Sequence, residues 1–326
     1  MAEGARLLSV YRATPYPGFE SLSLRQTLAL NDASVFFLLA TTMRQVATVI
    51  ELVQVPVWSD NYVYVLAHQG DALVVDPSEA SPILETLQER GWTLRAILNT
   101  HHHPDHVGGN ADLRAATGCD VYGPAHDAER IPQLTRPVTI GSMASVIGLS
   151  FRVLDVRAHT LGHVCYALDQ RVQRVTRHGH GGVPERLQRL EDSPLLFVGD
   201  SLFLGGCGRL FEGSPEQLAA SLQVYLNESP DALVCCAHEY TCSNLRFAQH
   251  AFPHVQAIGA RLEQLEHEKA ETLSSVPDRL SREFETNPFL LGLHAETWPH
   301  LSQRLGKEMQ TVADAIGSLR AAKDAF

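Results

Sequence analysis

The sequence predicts an α/β domain followed by a helical one, and three observations carry that expectation. Short β-rich runs alternate with capped amphipathic helices across residues 48–238. Histidine or aspartate recurs directly after apolar runs, where strands would end. Beyond His238 the apolar residues recur at helical spacing up to the terminus.

Regular structure is expected to begin near Thr48. Tyr62–Leu66 and Ala72–Val75 are β-rich runs around Gln69-Gly70-Asp71, a hairpin signature. Ser81 is expected to cap a helix with Pro82 in its first position, and Gly91 to end it. Leu94–Leu98 returns as a strand running into a histidine cluster, and Leu195–Val198 is a further buried strand ending at Gly199-Asp200. Arg171–Asp192 is rich in Arg, Gln, His and Gly, so a surface insertion is expected there. His178 and His180 lie in its glycine-rich part, where a loop holds ligands poorly. Ser214-Pro-Glu-Gln217 is a capping box, and it opens a helix with Leu218, Leu222, Tyr225 and Leu226 on one stripe. Val234–Ala237 is a last strand that places His238 at its end. Two stripes, Val255/Ile258/Leu262/Leu265 and Met309/Val312/Ile316/Leu319, then predict helices. The expected division is an extension over residues 1–47, an α/β domain over 48–238 and a helical domain over 239–326.

With 326 residues, 44% of them apolar and 19% charged, the chain can bury a sizeable core. Its 26 Lys+Arg against 37 Asp+Glu give a net charge of −11, which excludes a general phosphate-backbone binder. A small anionic ligand stays open, because a few local cations can hold one. The six cysteines form no CxxC pair, and a chain this long folds without staples, so reduced thiols and a reducing, cytoplasmic setting are expected. The longest apolar run, Val35–Met43, is too short to span a bilayer. Residues 1–47 carry four Arg, three acidic residues and several Ser and Thr, which fits a mitochondrial or other transit segment or a plain extension.

The run Thr100-His-His-His-Pro-Asp-His-Val-Gly-Gly-Asn110 holds most of the chemistry. Imidazole and carboxylate suit zinc and other borderline cations. His101 and His103 are two apart, so in an extended loop both reach one cation; Asp105 and His106 follow the proline turn and face a second. His102 falls between them and is expected to point away. A single histidine is more often a satisfied core residue than a ligand, but four with an aspartate in six residues at a strand end mark a metal or catalytic site. His159, Asp200 and His238, each after an apolar strand, are the candidates for completing the cage.

Thr100–Asn110, Ala158-His-Thr-Leu-Gly-His163, Val198-Gly-Asp-Ser-Leu-Phe203 and Ala237-His-Glu-Tyr-Thr241, in that order, resemble the metallo-β-lactamase fold. Gly205–Gly213, Ala237–Thr241, Asn287-Pro-Phe289 and Leu319–Phe326 narrow the resemblance to the glyoxalase II, or hydroxyacylglutathione hydrolase, family. The matches run from about Asp60 to the last residue, leaving 1–47 and 171–192 uncovered. The resemblance implies a four-layer αββα sandwich with a C-terminal helical domain. It implies two divalent cations, Zn2+ first with Fe or Mn also suited. One would be held by His101, His103 and His159, the other by Asp105, His106 and His238, with Asp200 bridging both. It further implies substrate contacts by Arg209, Phe211, Tyr240, Arg320 and Lys323, with His238 beside them. Two positions depart from the family pattern: Ala158 stands where glycine or cysteine is common, and Phe211 where some relatives have tyrosine.

The reaction so implied is hydrolysis of an S-(2-hydroxyacyl)glutathione such as S-D-lactoylglutathione to glutathione and D-lactate, the second step of methylglyoxal detoxification. A metal-held hydroxide would be the nucleophile, Asp105 and Asp200 would serve it as ligands, and thiolate would leave with little help from an acid. Cys207 has no histidine beside it in sequence and reads as a buried packing residue. The expected partner is one small glutathione thioester, with no nucleic acid or membrane and a monomeric enzyme. Arg320 and Lys323 lie three apart on the terminal helix, on one face, where solvent exposure is expected to weaken their contacts. The rival readings are a one-iron persulfide dioxygenase, which would use only His101, His159 and Asp200 and needs no long helical tail, and a non-catalytic metal or glutathione-conjugate binder.

Overall fold

In the computed structural model, which describes residues 49–177, 186–268 and 274–326, β1 (Ile50–Val57), β2 (Asn61–His68) and β3 (Asp71–Val75) form an antiparallel meander. Parallel pairing then adds β4 (Thr93–Leu98), β5 (Asp120–Pro124) and β6 (Arg136–Val138) beside β3. The crossovers are α1 (Ser81–Arg90), then a short α2 (Pro104–Val107) followed by α3 (Asn110–Thr117). On the other side of β1 lies β9 (Val164–Arg177), paired parallel to it. Around β9 gather β7 (Met143–Val146), β8 (Leu149–Asp155), β10 (Arg186–Gly199), β11 (Leu233–Cys236) and the two-residue β12 (Asp278–Arg279).

Strands β1–β5 are apolar on both faces, as strands covered from both sides must be. Val53, Val65, Val74 and Ile97 meet Ile83 and Leu87 of α1 and Leu113 of α3. Their neighbours Leu52, Tyr64, Leu73 and Leu98 turn inward to Phe151, Tyr166 and Phe197 of β8–β10. Beyond those strands lie Leu218 and Leu222 of α4 (Pro215–Tyr225). The result is helices, sheet, sheet and helices, the α/β sandwich the sequence predicts.

Local differences from the sequence expectations have local causes. Residues 171–177 and 186–192 continue β9 and β10 as strands. Val172, Val175 and Thr176 are buried, and pairing with β1 secures the extra strand length. His178, His180 and residues 1–47 lie outside the described residues. Ser81 is already helical and makes no capping bond, since Ala80 occupies that position. The box at Ser214 forms as expected, with Ser214 Oγ accepting from the Gln217 amide and Gln217 Oε1 from that of Ser214. Leu226 falls off its stripe and is exposed because α4 has ended. Cys119, Cys165, Cys207, Cys235 and Cys236 are buried thiols, and Cys242 is half-buried. Among the described residues no helix is long and apolar enough to cross a membrane.

After β11 come α5 (Thr241–Ala251), α6 (Gln256–Glu268), α7 (Leu280–Thr286), α8 (Pro288–Gly292), α9 (Trp298–Leu305) and α10 (Val312–Ala325). Ile258, Leu262, Ile316 and Leu319 are buried as the stripes predict. This region grips the loop after β10 through buried polar groups. The Asn287 amide donates to the carbonyls of Phe203 (3.1 Å) and Gly206 (2.9 Å), and Glu283 accepts the Gly205 N–H at 2.7 Å. Arg261 stands 2.7 Å from the other Glu283 oxygen, so that buried charge is paired. A buried carbonyl left without a partner costs about 1–3 kcal/mol. Asn287→Ala should therefore lower the unfolding free energy by about 2 kcal/mol or more, read from urea denaturation midpoints at unchanged slope.

Candidate metal centre

Each segment of the centre is the end of a buried strand, where the chain leaves the ladder and can turn polar side chains inward. His101 and His103 follow β4, and Asp105 and His106 sit on the turn of α2 opened by Pro104. His159 lies beyond β8, Asp200 directly after β10, and His238 two residues after β11. Gly199 makes the bend into Asp200 with φ +51°. A side chain there would meet Thr100 Oγ1 at 2.3 Å and the His163 ring at 2.9 Å, so the position takes only glycine.

The structure brings all seven predicted ligand residues together in two clusters. In the first, His103 Nδ1 lies 3.1 Å from His101 Nε2 and 3.0 Å from His159 Nε2. In the second, Asp105 Oδ2 is 3.3 Å from both His106 Nε2 and His238 Nε2. Asp200 stands between them, Oδ2 at 3.5 Å from His159 Nε2 and Oδ1 at 3.4 Å from both His106 and His238.

The rings are aimed by what their other nitrogens do. Thr100 Oγ1 donates to Asp76 (2.7 Å) and so accepts from His101 Nδ1 (3.0 Å). His106 Nδ1 donates to Asp76 (3.1 Å), His159 Nδ1 to the Arg209 carbonyl (2.8 Å) and His238 Nδ1 to Asp60 (3.2 Å). All four therefore turn Nε2 towards the cluster, the arrangement that fixes the tautomer of a metal-binding imidazole. Two of those lone pairs face one another across His103, and His106 Nε2 and Asp200 Oδ1 are buried without a hydrogen-bond partner. One proton on His103 cannot satisfy the first set, whereas a divalent cation in each cluster satisfies all of it. The donor set fits such ions.

Electrostatics divide the clusters in the same way. Burial, reinforced by the neighbouring imidazoles, holds His101 well below the usual histidine range and His103 at about 4. Burial also lowers His159 and His163. In the second cluster burial opposes the charged imidazoles, but the carboxylates override it. Asp200 and Asp76 raise His106, and Asp200 and Asp105 carry His238 to about 10. Asp105 and Asp200 are correspondingly held below the carboxylate range against their own burial, Asp105 by His106 and His238 and Asp200 by the same two histidines.

Sequence reasoning missed the residues that orient the ligands. Asp76 carried the signal already used for Asp200, a carboxylate after an apolar strand. Asp60, and Asn61, whose amide donates to Asp105 at 3.2 Å, had none, since turns are polar everywhere. His163 stood within the quoted motif. It is fully buried, stacks on His101 at 4.5 Å and accepts the Asp200 N–H at 3.1 Å.

A cleft of about 480 Å3 opens from His159 and Asp200 and runs to Arg209, Tyr240, Arg320 and Lys323. Phe211, 63% exposed, stands edge-on to His159 and His103 at its mouth. The Tyr240 ring stacks on His238 at 4.9 Å, and burial lifts its phenol to about 12, so it stays a donor. Burial pushes the Cys207 thiol in the wall to about 11, which suits packing and not nucleophilic attack. Arg320 corrects an expectation. It is 5% exposed and donates to the Cys207 carbonyl (2.8 Å) and Asp324 (3.0 Å) beneath the Phe289 ring. Helix α10 docks by the face that carries it, so the guanidinium is in the wall rather than in solvent. Lys323 is half-buried, its ammonium donating to the Ser243 carbonyl at 3.2 Å, and Arg209 is exposed.

The sandwich and its histidine–aspartate clusters define a metallo-β-lactamase superfamily domain, and that superfamily's profile matches residues 56–238. A solved metallo-β-lactamase from Staphylococcus aureus superposes with TM-score 0.53 at 17% identity, covering 83% of this chain and 71% of that one. ETHE1 from Myxococcus xanthus superposes with TM-score 0.52 at 22% identity, over 83% and 98%. These likenesses show the fold. A second profile, the hydroxyacylglutathione hydrolase C-terminus, matches residues 239–326. The hydroxyacylglutathione hydrolase of Methylococcus capsulatus is 42% identical over 279 residues, 85% of this chain and 99% of the relative. That of Pseudomonas entomophila is 40% identical over 280 residues, 85% and 100%. The chain belongs to the hydroxyacylglutathione hydrolase family.

The burial of Arg320 separates it from Lys323 in a way stability measurements can read. Arg320→Ala orphans the Cys207 carbonyl and should cost about 1–3 kcal/mol. Lys323→Ala should stay within about 0.5 kcal/mol of the parent. Equal urea midpoints for the two variants would contradict the docked arrangement of α10.

Proposed function

We propose that this chain hydrolyses S-(2-hydroxyacyl)glutathione thioesters, S-D-lactoylglutathione among them, releasing glutathione and a 2-hydroxy acid, D-lactate for that substrate. The observation that carries the reading is the cleft itself. One end is the histidine–aspartate centre and the other is lined by Tyr240, Arg320 and Lys323, from the segment that matches the family's own C-terminal profile. That segment also favours hydrolysis over the persulfide dioxygenase reading, which has no use for it.

In this proposal His101, His103 and His159 would hold one cation and Asp105, His106 and His238 a second, with Asp200 shared between them. Two divalent cations, Zn2+ by preference for this donor set with Fe or Mn also suited, supply Lewis-acid activation of water and of a bound carbonyl. The side chains do the rest. Asp105 and Asp200 stay ionised, so they act as acceptors that orient a water beside the scissile carbonyl and do not store its proton. Phe211 shields the mouth from bulk solvent and, lacking a hydroxyl, offers packing where tyrosine would offer a hydrogen bond.

Tyr240, Arg209 and Lys323 supply local donors for the two glutathione carboxylates, which the net charge of −11 does not attract. Arg320 shapes their wall from beneath. The leaving thiolate is stable enough to need little protonation. We place this reaction in a monomer in the cytoplasm, a reducing setting that suits the buried thiols. Thiol release from S-D-lactoylglutathione, with metal analysis on the same preparation, tests the reading; oxygen uptake with glutathione persulfide and no thioester hydrolysis would replace it.

Asp200→Ala should lower the content of both metals, whereas His238→Ala should weaken mainly one. Elemental analysis reads this, and two tightly held ions in Asp200→Ala would end the bridging assignment. Because the carboxylates raise both His106 and His238, the latter to about 10, loading the second cluster at neutral pH displaces a proton from each ring. Apparent affinity should therefore rise with pH between about 6 and 8, with acid released in a weakly buffered titration; a pH-independent isotherm would contradict it.

Lys323 acts far from the reacting carbonyl, equally in ground and transition states. Lys323→Ala should raise KM by roughly tenfold or less with kcat nearly unchanged, less at high salt. Loss of kcat at constant KM in steady-state kinetics would assign the residue a different task.

A further inference from the structure

His102 is the one histidine of the 101–106 run outside the proposed ligand set, and the structure gives it a definite partner. Its Nδ1 donates to Asp127 at 2.9 Å, while Arg130 Nη1 donates to its Nε2 at 3.1 Å. Asp127 is fully buried, and its second oxygen takes His126 Nδ1 at 3.0 Å and the Arg130 guanidinium. The same carboxylate fills the space under the turn that follows His159. A Cβ on Gly162 would lie 2.3–2.4 Å from the Asp127 carboxyl atoms. Arg130 continues to Glu212 at 2.6 Å, and Glu212 accepts the Leu161 N–H of that turn at 2.7 Å.

One buried carboxylate is thus the common reference for the two segments that carry His101, His103 and His159. The stretch from His101 to His103 belongs to no strand or helix, so no ladder sets its roll. The His102 ring meets both neighbours edge-on, its centroid 5.0 Å from that of His103 and 6.4 Å from that of His101, so holding it on Asp127 fixes the surface both rings pack against. Close packing of Gly162 on Asp127 fixes the height at which His159 meets them. The second cluster takes its orientation elsewhere, His106 from Asp76 and His238 from Asp60.

We propose that Asp127, acting through His102 and the Gly162 turn, is a positioning residue for the first cation cluster, beside Thr100 and the Arg209 carbonyl, and leaves the second unaffected. The inference rests on reading His101, His103 and His159 as one cation site. Metal-free full-length protein titrated with Zn2+ against a chromophoric chelator tests both, and they fail separately. Fewer than two tight ions in the parent protein would remove the site reading itself.

Given two binding steps, His159→Ala identifies the one belonging to the first cluster. Asp127→Asn should weaken that step about tenfold or more and leave the other within about twofold. His102→Phe keeps the ring and loses its hydrogen bonds; it should reproduce the selective loss, and the double variant should be no worse than the stronger single one. Should Asp127→Asn not fold, His102→Phe alone decides. Equal weakening of both steps, or of neither, would overturn the assignment, since a general loss of stability does not choose between clusters.

Discussion

Everything around the centre answers one constraint: nitrogen and carboxylate lone pairs converge at 3.0–3.5 Å in a buried place. The three imidazole nitrogens of the first cluster have no protonation pattern that pairs each of them, so the set suits a cation, and each ring must be held in place. The holding is done by hydrogen bonds on the far side of each imidazole, to Asp60, Asp76, Thr100 and the Arg209 carbonyl. Asp76 alone takes the Thr100 amide, the Thr100 hydroxyl and the His106 ring. A neutral residue there would release two ligand segments at once.

The helical region answers a different need. The sandwich supplies reactivity but only one side of a binding surface, and the loop after β10 would be free without support. Buried Asn287 and Glu283 fasten that loop, and Arg320 fastens Cys207 from the terminal helix. The cleft wall is therefore a joint product of two parts of the chain that contribute no ligand pair in common. The cations that line it, Arg209, Arg320 and Lys323, are local ones on a chain of net charge −11.

Much of this was legible in the sequence, for physical reasons. Strand ends can be read from apolar runs, and metal-binding residue types at those ends are rare enough by chance to be informative, so all seven ligand candidates converge. What surrounds them was less legible. Asp60 and Asp127 sit in turns, where aspartate is common for its own backbone chemistry, and nothing local separates a buried hub from a solvated turn. Arg320 misled because helix periodicity places it beside the docking stripe without saying how wide the docked face is. Strand β9 runs further than composition suggested, because polar residues outweighed the short β-branched pattern of Val172, Val175 and Thr176, whose burial depends on a strand far earlier in the chain.

That distant pairing has a kinetic side. Strand β1 lies parallel to β9, with the Ile50 amide bonded to Gln173, 123 residues later, and the ligands are spread from His101 to His238. Closing loops of that length must precede the site, because His159, Asp200 and His238 lie far in sequence from the 101–106 run. Cations drawing on segments this far apart would have little to hold in a half-formed chain. Their stabilisation would arrive after the slow steps and show as a longer native lifetime more than as faster folding.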